Sequence, residues 1–373
     1  MSDDSSAVPF LDLRAQQAEV ADEVLADWQR LLGDANFIGG PEVDAFEAAF
    51  ADYIGVAHAV GVANGTDALE LAYRAIGVGP GDEVIVPVNT FIATAEAVTA
   101  VGARPVFVDV DDETLLIDPS AVEAAITERT RAIVPVHLFG QTAPVEQLVP
   151  IAQRRGIAIV EDAAQSQGAV STQGRAGALG TVAATSFYPG KNLGAAGDAG
   201  AVMTGNSAIA DFVRNFAAHG STVKYMHDRA GRNSRLDAIQ AVALSAKLRR
   251  LDAWNRARAA AADRYANSLA DAPGVRLPGV RPGNEDVWHL YVVRVDERDR
   301  VLGELQAAGI GAAIHYPVPL HLTPAYSELG YRRGEFPVAE RAAERILSLP
   351  MFPHLTPQQQ DRVVSALIAA TTP

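Results

Sequence analysis

Between Gly65 and about Gly220, short and almost wholly apolar runs alternate with stretches of helical length and period. Glu83 to Val88, Pro105 to Val110, Ala132 to His137 and Ile157 to Val160 predict strands. Thr66 to Ile76, Phe91 to Ala100, Ser120 to Ile126 and Val145 to Arg155 predict the helices between them. A strand that is apolar on both faces must be covered on both faces, which strand–helix–strand crossovers achieve. The expectation is therefore a mostly parallel sheet between helices. Thr185 to Tyr188 and Ala201 to Thr204 add two further short strands.

The pattern changes after Leu236. Residues 236–269 are rich in Ala, Leu and Arg and hold no Gly or Pro, which predicts a long helix with at most one break. Pro273-Gly274, Pro278-Gly279 and Pro282-Gly283 then punctuate a loop-rich passage. His289 to Val295 and Ala312 to Tyr316 read as strands, Arg300 to Ala308 and Pro357 to Ala370 as helices. We expect a large domain over residues 1–245 and a smaller C-terminal α/β domain over 246–373.

The chain has 373 residues, 49% of them hydrophobic and 20% charged, enough for a sizeable core. Its formal net charge of -14 disfavours a general binder of nucleic acid or anionic membrane. It also means that an anionic substrate needs local positive charge. No cysteine is present, so disulfides, thiolate zinc sites and a cysteine nucleophile are excluded. Met1 to Ser6 is acidic and polar, and no apolar run has the length of a secretory signal or the roughly 20 residues of a membrane helix. The expectation is a cytoplasmic enzyme.

Two residues focus the chemistry. Ile157 to Val160 ends in Glu161-Asp162-Ala163-Ala164-Gln165, and Lys191 follows in Ser186-Phe187-Tyr188-Pro189-Gly190-Lys191-Asn192-Leu193-Gly194. An acid at a strand end and a lysine on a later loop are what pyridoxal phosphate chemistry requires. The amine holds the cofactor as a Schiff base, and the carboxylate pairs with the pyridine nitrogen. Alone, Lys191 reads as a solvated loop lysine and Asp162 as a helix cap. Asn64-Gly65-Thr66-Asp67 opens the first helix, where free N–H groups and the helix dipole suit a phosphate. The plainer reading there is an N-cap by Thr66 or Asp67. Phe91 could stack on the cofactor ring or serve as core. Ser186 could donate to the phosphate. His315 and His321 are metal ligands by type, but with no cysteine and no carboxylate in that run no metal is expected.

Gly65 to Leu69, Glu161 to Gln165, Ser186 to Gly194 and Asn233-Ser234-Arg235-Leu236-Asp237 together resemble the DegT/StrS type of nucleotide-sugar aminotransferase. The resemblance runs from Pro9-Phe10-Leu11-Asp12-Leu13 to the last helix, with the motifs in the family's order. It implies the type I fold of pyridoxal phosphate enzymes and a homodimer with shared active sites. By resemblance, Lys191 is the Schiff-base lysine and Asp162 meets the pyridine nitrogen. Gln165 would sit by the ring oxygen, Phe91 on the ring face, and Gly65, Thr66 and Ser186 on the phosphate. Asn233 would reach the phosphate from the partner subunit. Tyr188 to Gly194 and His315-Tyr316-Pro317-Val318-Pro319 are similar to enzymes that aminate C3 of dTDP-linked 3-keto-6-deoxyhexoses, with glutamate as donor. Lys224-Tyr225 resembles a segment that meets the diphosphate, with a protonated His315 as a second positive group. Tyr188 and Tyr316 complete the expected substrate contacts. Gly197-Asp198-Ala199-Gly200 departs from the family's usual Gly-Asp-Gly-Gly.

Three other readings compete. One is a C4 aminotransferase acting on a dTDP- or UDP-4-keto sugar. Another is a catalytically silent relative that regulates, although the complete lysine–aspartate–glutamine set argues against it. A nicotinamide oxidoreductase is disfavoured because no G-x-G-x-x-G follows the first strand.

Overall fold

The computed structural model describes residues 7–372; the acidic stretch Met1 to Ser6 lies outside them. Seven strands form the central sheet: β1 (His58–Val62), β2 (Glu83–Pro87), β3 (Arg104–Val108), β4 (Thr130–Ile133), β5 (Ala158–Asp162), β6 (Val182–Ser186) and β7 (Gly200–Thr204). Their order is β1-β7-β6-β5-β4-β2-β3. All neighbouring pairs are parallel except those of β7, which runs antiparallel to β1 and β6. This is the α/β, mostly parallel architecture that the alternation demands. Every residue of β2 and β7 is buried, as strands covered on two faces must be.

The helices at Gly65–Ala75, Ala93–Ala100, Val145–Arg155 and Ser207–Ala217 contribute to the larger apolar core against the sheet. A second core joins the helices Ala21–Asp34, Pro41–Ile54 and Ala238–Leu248 to residues of β1, β6 and β7. Phe46, Phe50 and Phe187 interlock there at ring-centroid separations of 5.2–5.6 Å. Each fully buried aromatic or aliphatic side chain contributes about 1.5–3 kcal/mol.

A third core gathers Val8 with residues from 261 onward. It packs the helices Leu251–Leu269, Arg298–Ala307 and Pro357–Thr371 against an antiparallel sheet of β8 (Val275–Arg276), β9 (Tyr291–Val295) and β10 (Ile346–Leu349). The long helical run does break once, between Leu248 and Leu251. Ahead of the break the helix packs into the second core, and beyond it Ala261, Ala262, Tyr265 and Leu269 join the third.

Ala312 to Tyr316 is not a strand. Ile310 bridges Val8 and Ala313 bridges Ser348, so successive residues find different partners and no ladder propagates. Periodicity also gave no sign of β1, of β10 or of the helices before residue 55. β6 ends at Ser186 rather than Tyr188, because the chain turns there to present the lysine loop.

Candidate active site

The candidate residues gather at one edge of the sheet. Asp162 is the last residue of β5 and Ser186 the last of β6. Gly65 begins the helix after β1, and Phe91 follows β2. The carboxyl edge of a parallel sheet is where such folds bind ligands, since helix N-termini and loops converge there.

The lysine loop is a tight turn. The Lys191 amide donates to the Tyr188 carbonyl at 2.8 Å and the Ala195 amide to the Phe187 carbonyl at 2.7 Å. At Gly194 a β-carbon would stand 2.3 Å from the Pro189 carbonyl oxygen, so only glycine closes this turn. The ammonium of Lys247, itself buried, donates to the Gly194 carbonyl at 2.6 Å. Burial lowers Lys191 from the ordinary lysine value to about 8, opposed in part by the negative charge of Asp162.

Asp162 is buried and doubly held. The Thr94 hydroxyl donates to its Oδ2 at 2.7 Å and the Ala164 amide to its Oδ1 at 3.1 Å. Because Thr94 spends its only hydrogen on the carboxylate, the Thr90 hydroxyl must donate to Thr94 across their 2.8 Å separation. Thr90 and Thr94 were not predicted from sequence. Their signal is faint: two threonines four apart, the first just before and the second in the first turn of the helix Ala93–Ala100.

Beside this pair lies a seat shaped for a phosphate. Asn64 caps the helix by accepting the Asp67 amide at 2.8 Å, so the cap is neither Thr66 nor Asp67. Asp67 pairs instead with Arg232 at 3.1 Å. With Asn64 serving Asp67, no acceptor is found among the described residues for the amides of Gly65 and Thr66. A β-carbon on Gly65 would stand 2.5 Å from Ser186 Cβ, and one on Gly200 2.5 Å from the Asn64 carbonyl oxygen. Glycine at both positions brings the helix start, Ser186 and β7 together. Free amides at a helix N-terminus, a serine hydroxyl, a desolvated lysine and a fixed carboxylate fit pyridoxal phosphate.

Gln165 is fixed from both sides. Its Oε1 accepts the Phe139 amide at 2.7 Å, and its Nε2 donates to the Tyr316 hydroxyl at 3.1 Å. Tyr316 also lies against Phe91, with ring centroids 5.5 Å apart. Phe91 is 52% exposed and Tyr188 59% exposed, so neither is plain core.

His315 corrects an expectation. Its Nδ1 pairs with Ser348 Oγ at 2.9 Å, and its ring stacks on Phe10 at 5.6 Å. Burial, helped by the charge of Lys191, pushes its pKa down to about 4, so it is neutral and does not compensate a diphosphate. Lys224 and Tyr225 are exposed on a hairpin formed by Ser221–Val223 and Met226–His227. Asn233 is exposed as well, although neighbouring Ser234 accepts the Ala63 amide at 3.2 Å within the same chain. His321 pairs with Glu340 at 3.0 Å, and among the described residues no group of three or more His, Cys, Asp or Glu could hold a metal ion. No described helix is long and apolar enough to cross a membrane.

Comparison with known proteins agrees with this geometry. Residues 18–368 match the DegT/DnrJ/EryC1/StrS aminotransferase family. The erythromycin biosynthesis sensory transduction protein EryC1 of Saccharopolyspora erythraea is 49% identical, covering 97% of this chain and 99% of that one. The dTDP-3-amino-3,4,6-trideoxy-alpha-D-glucose transaminase of Streptomyces venezuelae is also 49% identical, covering 96% of this chain and 95% of its own. The crystal structure of S. venezuelae DesV in complex with a ketimine intermediate superposes with a TM-score of 0.96 at 48% identity, covering 98% of this chain and 99% of that one. The chain belongs to the DegT/DnrJ/EryC1/StrS aminotransferase family, and is a pyridoxal phosphate-dependent enzyme of the type I fold.

Proposed function

We propose that this enzyme moves an amino group from glutamate to C3 of a dTDP-linked 3-keto-6-deoxyhexose, in deoxyaminosugar biosynthesis. The observation that carries the reading is the whole-length similarity, at 49% identity, to a transaminase that makes a dTDP-3-amino sugar. The site supports catalysis over a silent regulatory role. A regulator has no use for a lysine amine brought down to about 8 beside a carboxylate with two donors.

Bound pyridoxal phosphate supplies the electron sink that the reaction needs. In our reading Gly65, Thr66 and Ser186 hold its phosphate, and Phe91 and Gln165 bear on its ring. Asp162, oriented by Thr94 and Ala164, pairs with the pyridine nitrogen. Lys191 anchors the cofactor, then serves as acid and base: its neutral Nζ accepts the migrating proton and returns it. Tyr188, His315 and Tyr316 meet the sugar, His315 as a neutral hydrogen-bonding group. With His315 uncharged, Lys224 and Tyr225 are left to receive the diphosphate.

The same reading makes the enzyme a cytoplasmic homodimer whose sites are shared, with Asn233 and Lys224 serving the partner. Leu25, Leu32, Phe37, Ile38, Tyr225 and Met226 are 41–80% exposed, which suits a buried face between copies. It also takes residues 1–245 as the cofactor domain and 246–373 as the small domain.

The test supplies 3-keto and 4-keto dTDP- and UDP-sugars separately, with glutamate, and identifies products by mass and NMR. Amination of the 3-keto dTDP-sugar is expected. Amination of a 4-keto compound alone would replace the C3 assignment, and a preference for UDP-sugars would replace the nucleotide.

A further inference from the structure

The helix that starts at the phosphate seat begins a capping box and leaves it unfinished. In a complete box the third helical residue gives its amide to the cap side chain, and its own side chain returns to the cap's amide. Here Asn64 is the cap and Asp67 the third residue of the helix Gly65–Ala75. The first half is in place, with the Asp67 amide donating to Asn64 Oδ1 at 2.8 Å. The second half is not made: the Asp67 carboxylate lies 3.1 Å from the Arg232 guanidinium instead. Arg232 also pairs with Glu70, one turn further along the helix, and Glu70 accepts from Arg74 at 2.9 Å.

The backbone places Arg232 independently of these pairs. Its amide donates to the Phe216 carbonyl at 2.8 Å, and its carbonyl accepts the His219 amide at 2.9 Å. A β-carbon on Gly231 would stand 2.5 Å from the Phe216 carbonyl oxygen and 2.3 Å from the Gly220 nitrogen, so the chain lies directly against the end of the helix Ser207–Ala217. Asp67 is buried, and a buried charge requires a partner. With Arg232 present, that partner stands to the side. Without it, the donors that a third-position carboxylate reaches are the free amides at its own helix start. Those are the amides a phosphate needs, and a carboxylate among them also repels a dianion.

We propose that Arg232 is a positioning residue for the cofactor: by pairing with Asp67 it keeps that carboxylate from completing the capping box, and so leaves the helix start open to the phosphate. The proposal rests on the phosphate seat at Gly65 and Thr66, but not on which sugar is used.

The full-length protein, freed of cofactor, is titrated with pyridoxal phosphate and with pyridoxal as wild type, Arg232→Gln, Asp67→Asn and the double variant. Arg232→Gln should bind pyridoxal phosphate about tenfold or more weakly, with pyridoxal within about threefold of wild type. The double variant should return pyridoxal phosphate affinity to within about threefold of wild type, because no carboxylate is left to compete. No loss in Arg232→Gln, or a loss that pyridoxal shares, would overturn the proposal. So would a loss that Asp67→Asn does not rescue, since Arg232 would then act on the phosphate directly or through neighbouring Asn233. Should Arg232→Gln fail to fold, Asp67→Asn alone decides: it should bind pyridoxal phosphate at least as tightly as wild type, and weaker binding would refute the role. A selective loss in Gly65→Ala with none in Arg232→Gln would leave the seat standing and remove only the part given to Arg232.

Discussion

Replacing Gly65 with alanine strikes the phosphate seat at its narrowest point. The new β-carbon would lie 2.5 Å from Ser186 Cβ, 3.1 Å from Ser186 Cα and 3.2 Å from Ser186 Oγ. Carbon atoms in contact stand about 3.5–4.0 Å apart, so the helix start and the end of β6 must separate by about 1 Å. Overpacking of this kind costs about 1–3 kcal/mol of fold stability. The same separation draws the Ser186 hydroxyl away from the amides of Gly65 and Thr66, so they no longer converge on one anion. Loss of one hydrogen bond to a charged group is worth about 1.5–3 kcal/mol, or about 10- to 150-fold in Kd. The assay titrates cofactor-free Gly65→Ala and wild-type protein with pyridoxal phosphate and with pyridoxal, which lacks the phosphate. Affinity for pyridoxal phosphate should fall by that factor while affinity for pyridoxal stays within about threefold. Equal losses for the two compounds, or no loss for either, would refute the assignment of this seat to the phosphate.

Other outcomes follow from the same geometry. In cofactor-free protein, acylation of Lys191 should accelerate about tenfold per pH unit and level off above pH 8; a lysine of ordinary pKa would keep rising past 10. At pH 7 that shift makes the neutral amine about 300 times more abundant, and a plateau near 10 would show that burial does not activate it. Asp162→Asn should keep the fold and the cofactor yet lose most turnover, measured in single half-reactions, because an amide cannot pair by charge with the pyridine nitrogen. Its Lys191 plateau should also move to lower pH, since Asp162 is the group that holds that value up. Mixing inactive Lys191→Ala chains with inactive Asn233→Ala chains should restore activity through hybrid dimers; proven heterodimers with none would show that each site belongs to one chain.

What could be read from sequence was local. Lys191, Asp162, Gln165 and Gly65 stand in short runs whose chemistry survives without a structure, and the alternation of apolar strands with helices follows from periodicity alone. The supports of those residues were not legible, because they are joined across long separations. Thr94 reaches Asp162 over 68 positions, and Lys247 reaches Gly194 over 53. The charge of His315 could not be read either. It depends on burial among Phe10, Ser348 and Lys191, which come from distant parts of the chain. The expected strand at Ala312 to Tyr316 failed for a related reason: its apolar run buries residues, but no single neighbouring strand runs alongside it.

Everything proposed for this enzyme turns on Lys191. The most direct measurement reconstitutes the protein with pyridoxal phosphate, reduces it with borohydride and maps the labelled peptide by mass. The account predicts an absorption band that borohydride bleaches, one label per chain, and that label on Lys191, the lysine lowered to about 8 beside Asp162. A label on Lys247 or another lysine, or a reconstituted protein with no reducible band, would contradict it.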